Sequence, residues 1–186
     1  MQTPQNNNEN MAKPFVASLD DINNESVGGK AYGLSRLVNM GLRVPPAFVI
    51  CGAQPGHQPD GLRDAWNALG NYPVAVRSSA RGEDGAENSF AGQYDTVLNV
   101  VGFDALIGAV DQCVSSLDND HAQEYQGRDE NADAVMNVVV QRMVNARAAG
   151  VVFTADPVSA RRDILVIDAV QGLGEALVSG EATPDH

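Results

Sequence analysis

The chain has 186 residues, with 24 acidic against 12 basic side chains, a formal net charge of -12, 44% hydrophobic residues and 18 glycines. That length and apolar share suffice for one domain with a sizeable core, of globular and loop-rich rather than disordered composition. The charge argues against a nucleic-acid-binding surface, since no Lys/Arg cluster exists beyond Arg161-Arg162, and no run approaches the ~18 apolar residues of a membrane span.

A negatively charged ligand would need a local basic pocket in this acidic chain, and Lys13 and Lys30 are its only lysines. Cys51 and Cys113 are too few for a disulfide framework and sit in no metal-type spacing. Two buried thiols and a reducing, cytoplasmic location are the expectation. The start of the chain, MQTPQNNNENMAKPF, has no signal-peptide core. Residues 1–13 read as a disordered polar tail, and 14–186 as the folded domain.

From Val27 the texture changes. Gly28-Gly29-Lys30 precedes a helical pattern in which Leu34, Leu37 and Val38 share a face, and Gly41 is placed to end it. Helix starts carry unpaired N–H groups and partial positive charge, so Lys30 there has anion-binding character; a solvated surface lysine has the same pattern. Pro45-Pro46 feeds an apolar run, Ala47–Ile50, read as a strand. Gly52–Pro59 is loop by composition, and Asp64–Leu69 forms a short helix carrying Trp66.

The stretch from Val74 to Val100 is the most informative. Val74-Ala75-Val76 suits a buried strand and ends in Arg77-Ser78-Ser79, a cation followed by two hydroxyls. A polar loop, Arg81 to Gln93, leads to a second strand-like run, Thr96–Val100. The arginine offers a planar fork of donors matched to phosphate oxygens. Gly82, Gly85 and Gly92 allow the loop's backbone N–H groups close to a ligand. An ordinary hairpin with a solvated connection has the same pattern.

Phe103–Leu117 spaces Leu106, Ile107, Val110, Val114 and Leu117 as a core-facing helix, with His121–Gln126 extending or following it. Arg128–Asp133 is a charged turn. Three strand-like runs follow: Ala134–Val144, Gly150–Phe153 and Ile164–Ala169. The first leaves through Gln141-Arg142-Met143-Val144, where backbone groups could sit against a flat heteroaromatic ring with Met143 on its face; a strand simply ending in a loop reads the same. Gly172-Leu173-Gly174 turns into a helix at Ala176–Val178. Together these predict an α+β fold with a largely antiparallel sheet and flanking helices.

Other chemistry is weakly signalled. Gly172-Leu173-Gly174 is not the dinucleotide fingerprint, because position 177 is leucine, and no Walker-type lysine loop occurs. His57, His121 and His186 are scattered. Glu83, Asp84 and Glu87 could meet a metal, but a solvated acidic loop is the plainer reading, so no metal site is assigned.

Taken together, VGGKAYGLSRL, VAVRSSARGED with NSFAGQYDTVLNV, VVVQRMV, AGVVFTADPV and QGLGEALVSGEATPD resemble the ATP-binding N-terminal domain of the phosphoenolpyruvate-utilising dikinases. These are phosphoenolpyruvate synthase, pyruvate phosphate dikinase and the related rifampicin phosphotransferases. The resemblance implies an ATP-grasp fold and assigns Lys30 and Arg77 to the ATP phosphates. It makes Ser89, Phe90, Ala91, Gly92 and Gln93 the loop over those phosphates, puts Thr96 near the nucleotide, and makes Gln141, Met143 and Val144 the hinge that reads adenine. In such enzymes ATP phosphorylates a histidine on a separate domain, and the phosphoryl group passes on to pyruvate or another acceptor.

The departures from the family pattern are equally specific. The chain is shorter than the family between Cys51 and Tyr72, and it stops at Pro184-Asp185-His186. The family segment holding Mg²⁺ and the phosphohistidine segment have no counterpart here. The expectation is an ATP-grasp domain incomplete at its C-terminus, with Mg²⁺ belonging to the complete domain and the histidine and acceptor domains on another chain. FTADPV and GLGEALVSG fit the rifampicin branch as well, and a non-catalytic nucleotide-binding module is the alternative from outside the enzymes.

Overall fold

The computed structural model describes residues 13–79, 96–124 and 136–186, with side chains of the long third helix described as far as residue 116. The chain forms two units, one running to Met143 and one from Val144 to His186.

The first unit is built on a five-stranded sheet of β1 (Phe15–Ser18), β2 (Ala47–Cys51), β3 (Val74–Ser79), β4 (Thr96–Val100) and β5 (Asn137–Arg142), in the order β1-β2-β5-β3-β4. Every neighbouring pair is antiparallel. β2 and β3 therefore run the same way on either side of β5, joined through α2 (Leu62–Ala68). β4 and β5 do likewise on either side of β3, joined through α3 (Phe103–Glu124).

Strand alternation sends neighbouring side chains to opposite faces. On one face Phe48, Ile50, Val74, Val76, Val138 and Val140 pack with Trp66 of α2 and with Leu106, Val110 and Cys113 of α3. On the other, Val49, Cys51 and Val139 pack with Ala31 of α1 (Gly29–Asn39) and with Leu19, Ile22 and Val27. β5 needs apolar side chains on both faces, which accounts for the unbroken Val138-Val139-Val140, each fully buried. Cys51 and Cys113 are buried thiols rather than a disulfide; burial pushes the Cys51 thiol above its ordinary range.

The second unit is an antiparallel pair, β6 (Ala148–Phe153) and β7 (Val166–Gln171), followed by α4 (Glu175–Val178). Asp185 returns beside Ala169, exchanging N–H···O bonds of 2.9 and 3.0 Å. No residue of this unit is fully buried.

The α+β class and antiparallel pairing expected from the sequence are what the structure has. Some elements and boundaries differ, α2, β5 and β6 by two or three residues at their starts. β1 and two 3-10 turns, Leu19–Asp21 and Glu25–Val27, fall where no element was expected. β3 does not stop at Val76 but runs on through Arg77-Ser78-Ser79, because Ser78 and Ser79 pair with Val138 and Asn137. The final strand begins at Val166 rather than Ile164, where its pairing with Phe153 starts. The tail to residue 12, Arg128–Asp133 and the whole of the glycine loop, Arg81 to Gln93, lie outside the described residues. None of the described helices is long and apolar enough to cross a membrane.

Candidate functional site

The site is built from the face of the first sheet that carries α1. On β3, Val74 and Val76 point into the α2–α3 core, so Ala75, Arg77 and Ser79 point the other way. Ser79 confirms the direction, its Oγ touching the start of α1 by accepting from the Ala31 N–H at 3.1 Å. Arg77 lies opposite Val139 on β5 and opposite Thr96 on β4. Directly opposed residues share a face, and Val139 packs against the α1 side, so Arg77 and Thr96 belong to it too. Gln141, two residues beyond Val139, follows the same parity.

Lys30 enters from the helix. α1 begins at Gly29, and its first turn contains no acidic residue, although helix starts usually favour them. Gly28 precedes it at φ +84°, and a β-carbon there would lie 2.3 Å from the Ser79 carbonyl oxygen. Only glycine lets the two backbones approach this closely. Lys30, Arg77, Thr96 and Gln141 thus share one side of one sheet, Lys30 at the helix start beside the end of β3. Ala75, Arg77 and Gln141 are half-buried and Thr96 is exposed, so this part of the sheet forms a partly exposed shelf beside a helix N-terminus.

Such a shelf can take an anion with an apolar or aromatic body. A guanidinium fork, an ammonium and a helix start supply positive charge. Among the described residues no group of three or more His, Cys, Asp or Glu side chains could hold a metal ion.

The far end of β5 is firmly tied. The N–H groups of Arg142 and Met143 donate to the carbonyls of Pro46 and Pro73, both at 2.9 Å, so those donors are already used. Gln141 Nε2 donates to the Pro45 carbonyl at 3.3 Å, which turns its amide oxygen away from that contact. Arg142 stacks over Tyr72, 3.5 Å from the ring centroid, and Met143 Sδ accepts from the Asn99 N–H at 3.0 Å. β5 is a central strand, not a free edge, so a planar ligand would meet the Gln141 side chain and carbonyl groups rather than these amides. Val144, exposed, opens the second unit. Ser89, Phe90, Ala91, Gly92 and Gln93 lie outside the described residues.

Sequence reading missed Ser79 and Asn137 as organisers of the site. Asn137, 2% exposed, accepts from the Gly52 N–H at 3.1 Å and donates to the carbonyls of Ser26 and Ser79, each at 3.3 Å. An asparagine inside the apolar run Val135-Met136-Asn137-Val138 was the available signal, since a buried amide needs partners.

Comparison with known proteins identifies the family. Residues 55–186 match the family described as the pyruvate phosphate dikinase AMP/ATP-binding domain. The chain is 40% identical over 191 residues to the prodigiosin synthesizing transferase PigC of Serratia marcescens, covering 86% of this chain and 21% of that protein. It is 36% identical to a probable phosphoenolpyruvate synthase of Methanocaldococcus jannaschii, over 92% of this chain and 19% of the relative. A rifampicin phosphotransferase of a Streptomyces species is 42% identical over 91% of this chain and 19% of its own length. The chain thus spans about a fifth of each of these relatives. With a match across most of its length and an α+β, antiparallel fold, it belongs to the pyruvate phosphate dikinase AMP/ATP-binding domain family.

Proposed function

We propose that this chain is the ATP-binding part of a phosphoenolpyruvate synthase-like phosphotransferase, with the nucleotide on the α1 face of the first sheet. Lys30 and Arg77 neutralise the triphosphate from two sides, the helix start and the strand. The Ser89–Gln93 loop covers the phosphates, and Thr96 stands near the nucleotide. Gln141, Met143 and Val144 read the adenine, the Gln141 amide oxygen serving as an acceptor for its exocyclic amine. The phosphoryl group passes to a histidine on a separate domain and from there to the acceptor. The chemistry asked of this chain is positioning and charge neutralisation, since phosphoryl transfer needs little covalent participation from the protein. Magnesium belongs to the complete family domain and would bind there together with the nucleotide's phosphates. Two buried thiols that are not joined in a disulfide support a reducing, cytoplasmic setting.

The observation that supports this reading is that Arg77 and the helix α1, which carries Lys30, lie on one face of the first sheet, in a chain whose family binds ATP or AMP. The rifampicin phosphotransferase branch is a second reading, favoured by 42% identity over 91% of the chain. Calorimetric titration with Mg-ATP tests the site: Lys30→Ala and Arg77→Ala should each weaken binding about ten- to a hundredfold, the scale of a lost charge-assisted contact. Wild-type binding that neither substitution disturbs would remove both residues from the site.

A further inference from the structure

The helix that carries Lys30 has no capping side chain of its own, because its N-cap residue is Gly28. The cap comes from another strand. Ser79 Oγ accepts the N–H of Ala31, the third residue of α1, at 3.1 Å; that is a donor an N-cap serine ordinarily takes. The same hydroxyl donates to the Val27 carbonyl at 2.9 Å. Asn137 in turn holds the Ser79 carbonyl at 3.3 Å. Ser79 is wholly buried, so both its partners depend on it rather than on water.

The geometry has a consequence for the two cations. Lys30 is the residue before Ala31, and Arg77 is two residues before Ser79 on the same face of β3. One hydroxyl therefore sets where the helix-borne lysine stands relative to the strand-borne arginine. We infer that Ser79 is a positioning residue for phosphate recognition: it caps α1 from β3 and thereby holds Lys30 and Arg77 at the separation one polyphosphate requires. This rests on the ATP-binding reading above. Without the hydroxyl, the Ala31 N–H and Val27 carbonyl lose their buried partner and the helix start shifts to find another. Displacements of that kind are costly where charge must be placed accurately.

The test compares ATP with adenosine, each titrated against the whole chain well below its unfolding temperature. Ser79→Ala should weaken ATP about tenfold, the scale of a lost cap combined with a misplaced contact, and leave adenosine affinity unchanged, because the cap governs only the phosphate end. Ser79→Cys keeps the volume but offers a poor acceptor, so it should behave the same and serves if the alanine variant does not fold. In a Lys30→Ala background Ser79→Ala should add little further loss, since the serine acts through that lysine. Equal losses on ATP and adenosine, no loss on either, or full additivity with Lys30→Ala would overturn the positioning role while leaving the ATP site standing. A wild-type chain that binds no ATP would overturn both.

Discussion

Replacing Gly28 by alanine places a β-carbon where the structure has none to spare. It would stand 2.3 Å from the Ser79 carbonyl oxygen and 2.5 Å from both the carbonyl carbon and Oγ of Ser79. Two of those atoms are backbone of a strand paired on both sides, so the contact cannot be relieved by a rotamer change. The position also sits at φ +84° and ψ 160°, a region essentially reserved for glycine and costing about 1–3 kcal/mol for other residues. Overpacking adds about 1–3 kcal/mol, and displacement of Ser79 from Ala31 forfeits a cap worth about 1 kcal/mol. The sum, about 3–7 kcal/mol, is a large part of a typical domain's total stability of about 5–15 kcal/mol. Gly41→Ala is the control: φ is +73° there too, but no atom lies within 4 Å of the added carbon, so only the backbone term of about 1 kcal/mol remains. Urea unfolding followed by the fluorescence of Trp66, buried in the first unit's core, reads the difference. At typical slopes of about 1–3 kcal/mol per molar urea, Gly28→Ala should lower the midpoint by about 0.7 M or more beyond Gly41→Ala. Equal midpoints for the two variants would refute the close approach of α1 to β3.

Four further outcomes follow from particular contacts. Leu106→Ala, at a fully buried position under the sheet, should cost about 2–5 kcal/mol in the same urea assay, and a loss below 1 kcal/mol would contradict its place in the core. Amides of β6 and β7 should exchange with deuterium faster than those of β5, because the second unit buries no residue fully and a two-stranded pair alone is marginal; slower exchange would contradict that. The Ser159 hydroxyl holds the Asp156 carboxylate below the ordinary carboxylate range, and the Arg161 guanidinium does the same for Asp163. Both depressed values stabilise the loop above the unfolded carboxylate range and lose that contribution as pH falls through the folded values, so proteolysis of residues 156–163 should accelerate only in acid below the usual range, and Asp156→Asn should abolish part of the dependence. The Cys51 thiol, pushed up by burial, should resist iodoacetamide at mildly alkaline pH in the native chain and react readily after unfolding.

Much of this architecture was legible because local signals and tertiary demand agree. Gly41 ends α1 with φ +73°, its N–H reaching the Val38 carbonyl, as its position after the apolar stripe indicated. The run Val138–Val140 reads as a strand from β-branching alone, and its burial on both faces explains why no polar residue interrupts it. β1 was illegible for the opposite reason. Phe15–Ser18 is four residues long, has no alternation to detect, and exists only because β2 offers it an edge.

The site shows the same division. Arg77 and Lys30 stood out by residue type and glycine context, but their sharing a face depends on register and on a helix docking 48 residues away in sequence. The Ser79–Asn137 network is only half legible: an asparagine in an apolar run signals a buried amide that needs partners, but nothing in the pattern names Ser79, Ser26 or Gly52 as those partners. The strand that leaves through Gln141 looked free to offer its amides to a ligand. Pairing on both sides and the Pro46 and Pro73 carbonyls claim those donors, information carried by residues distant in sequence.

The claim on which the account turns is that nucleotide lies on the α1 face of the first sheet. Titrating isotopically labelled chain with ATP and following backbone amide resonances measures this directly. Lys30, Arg77, Thr96 and Gln141 should shift together and saturate with one affinity, while Leu106, Val110 and Val114 on the opposite face stay in place. Shifts concentrated on α3, or absent from Lys30 and Arg77 at saturating nucleotide, would contradict it.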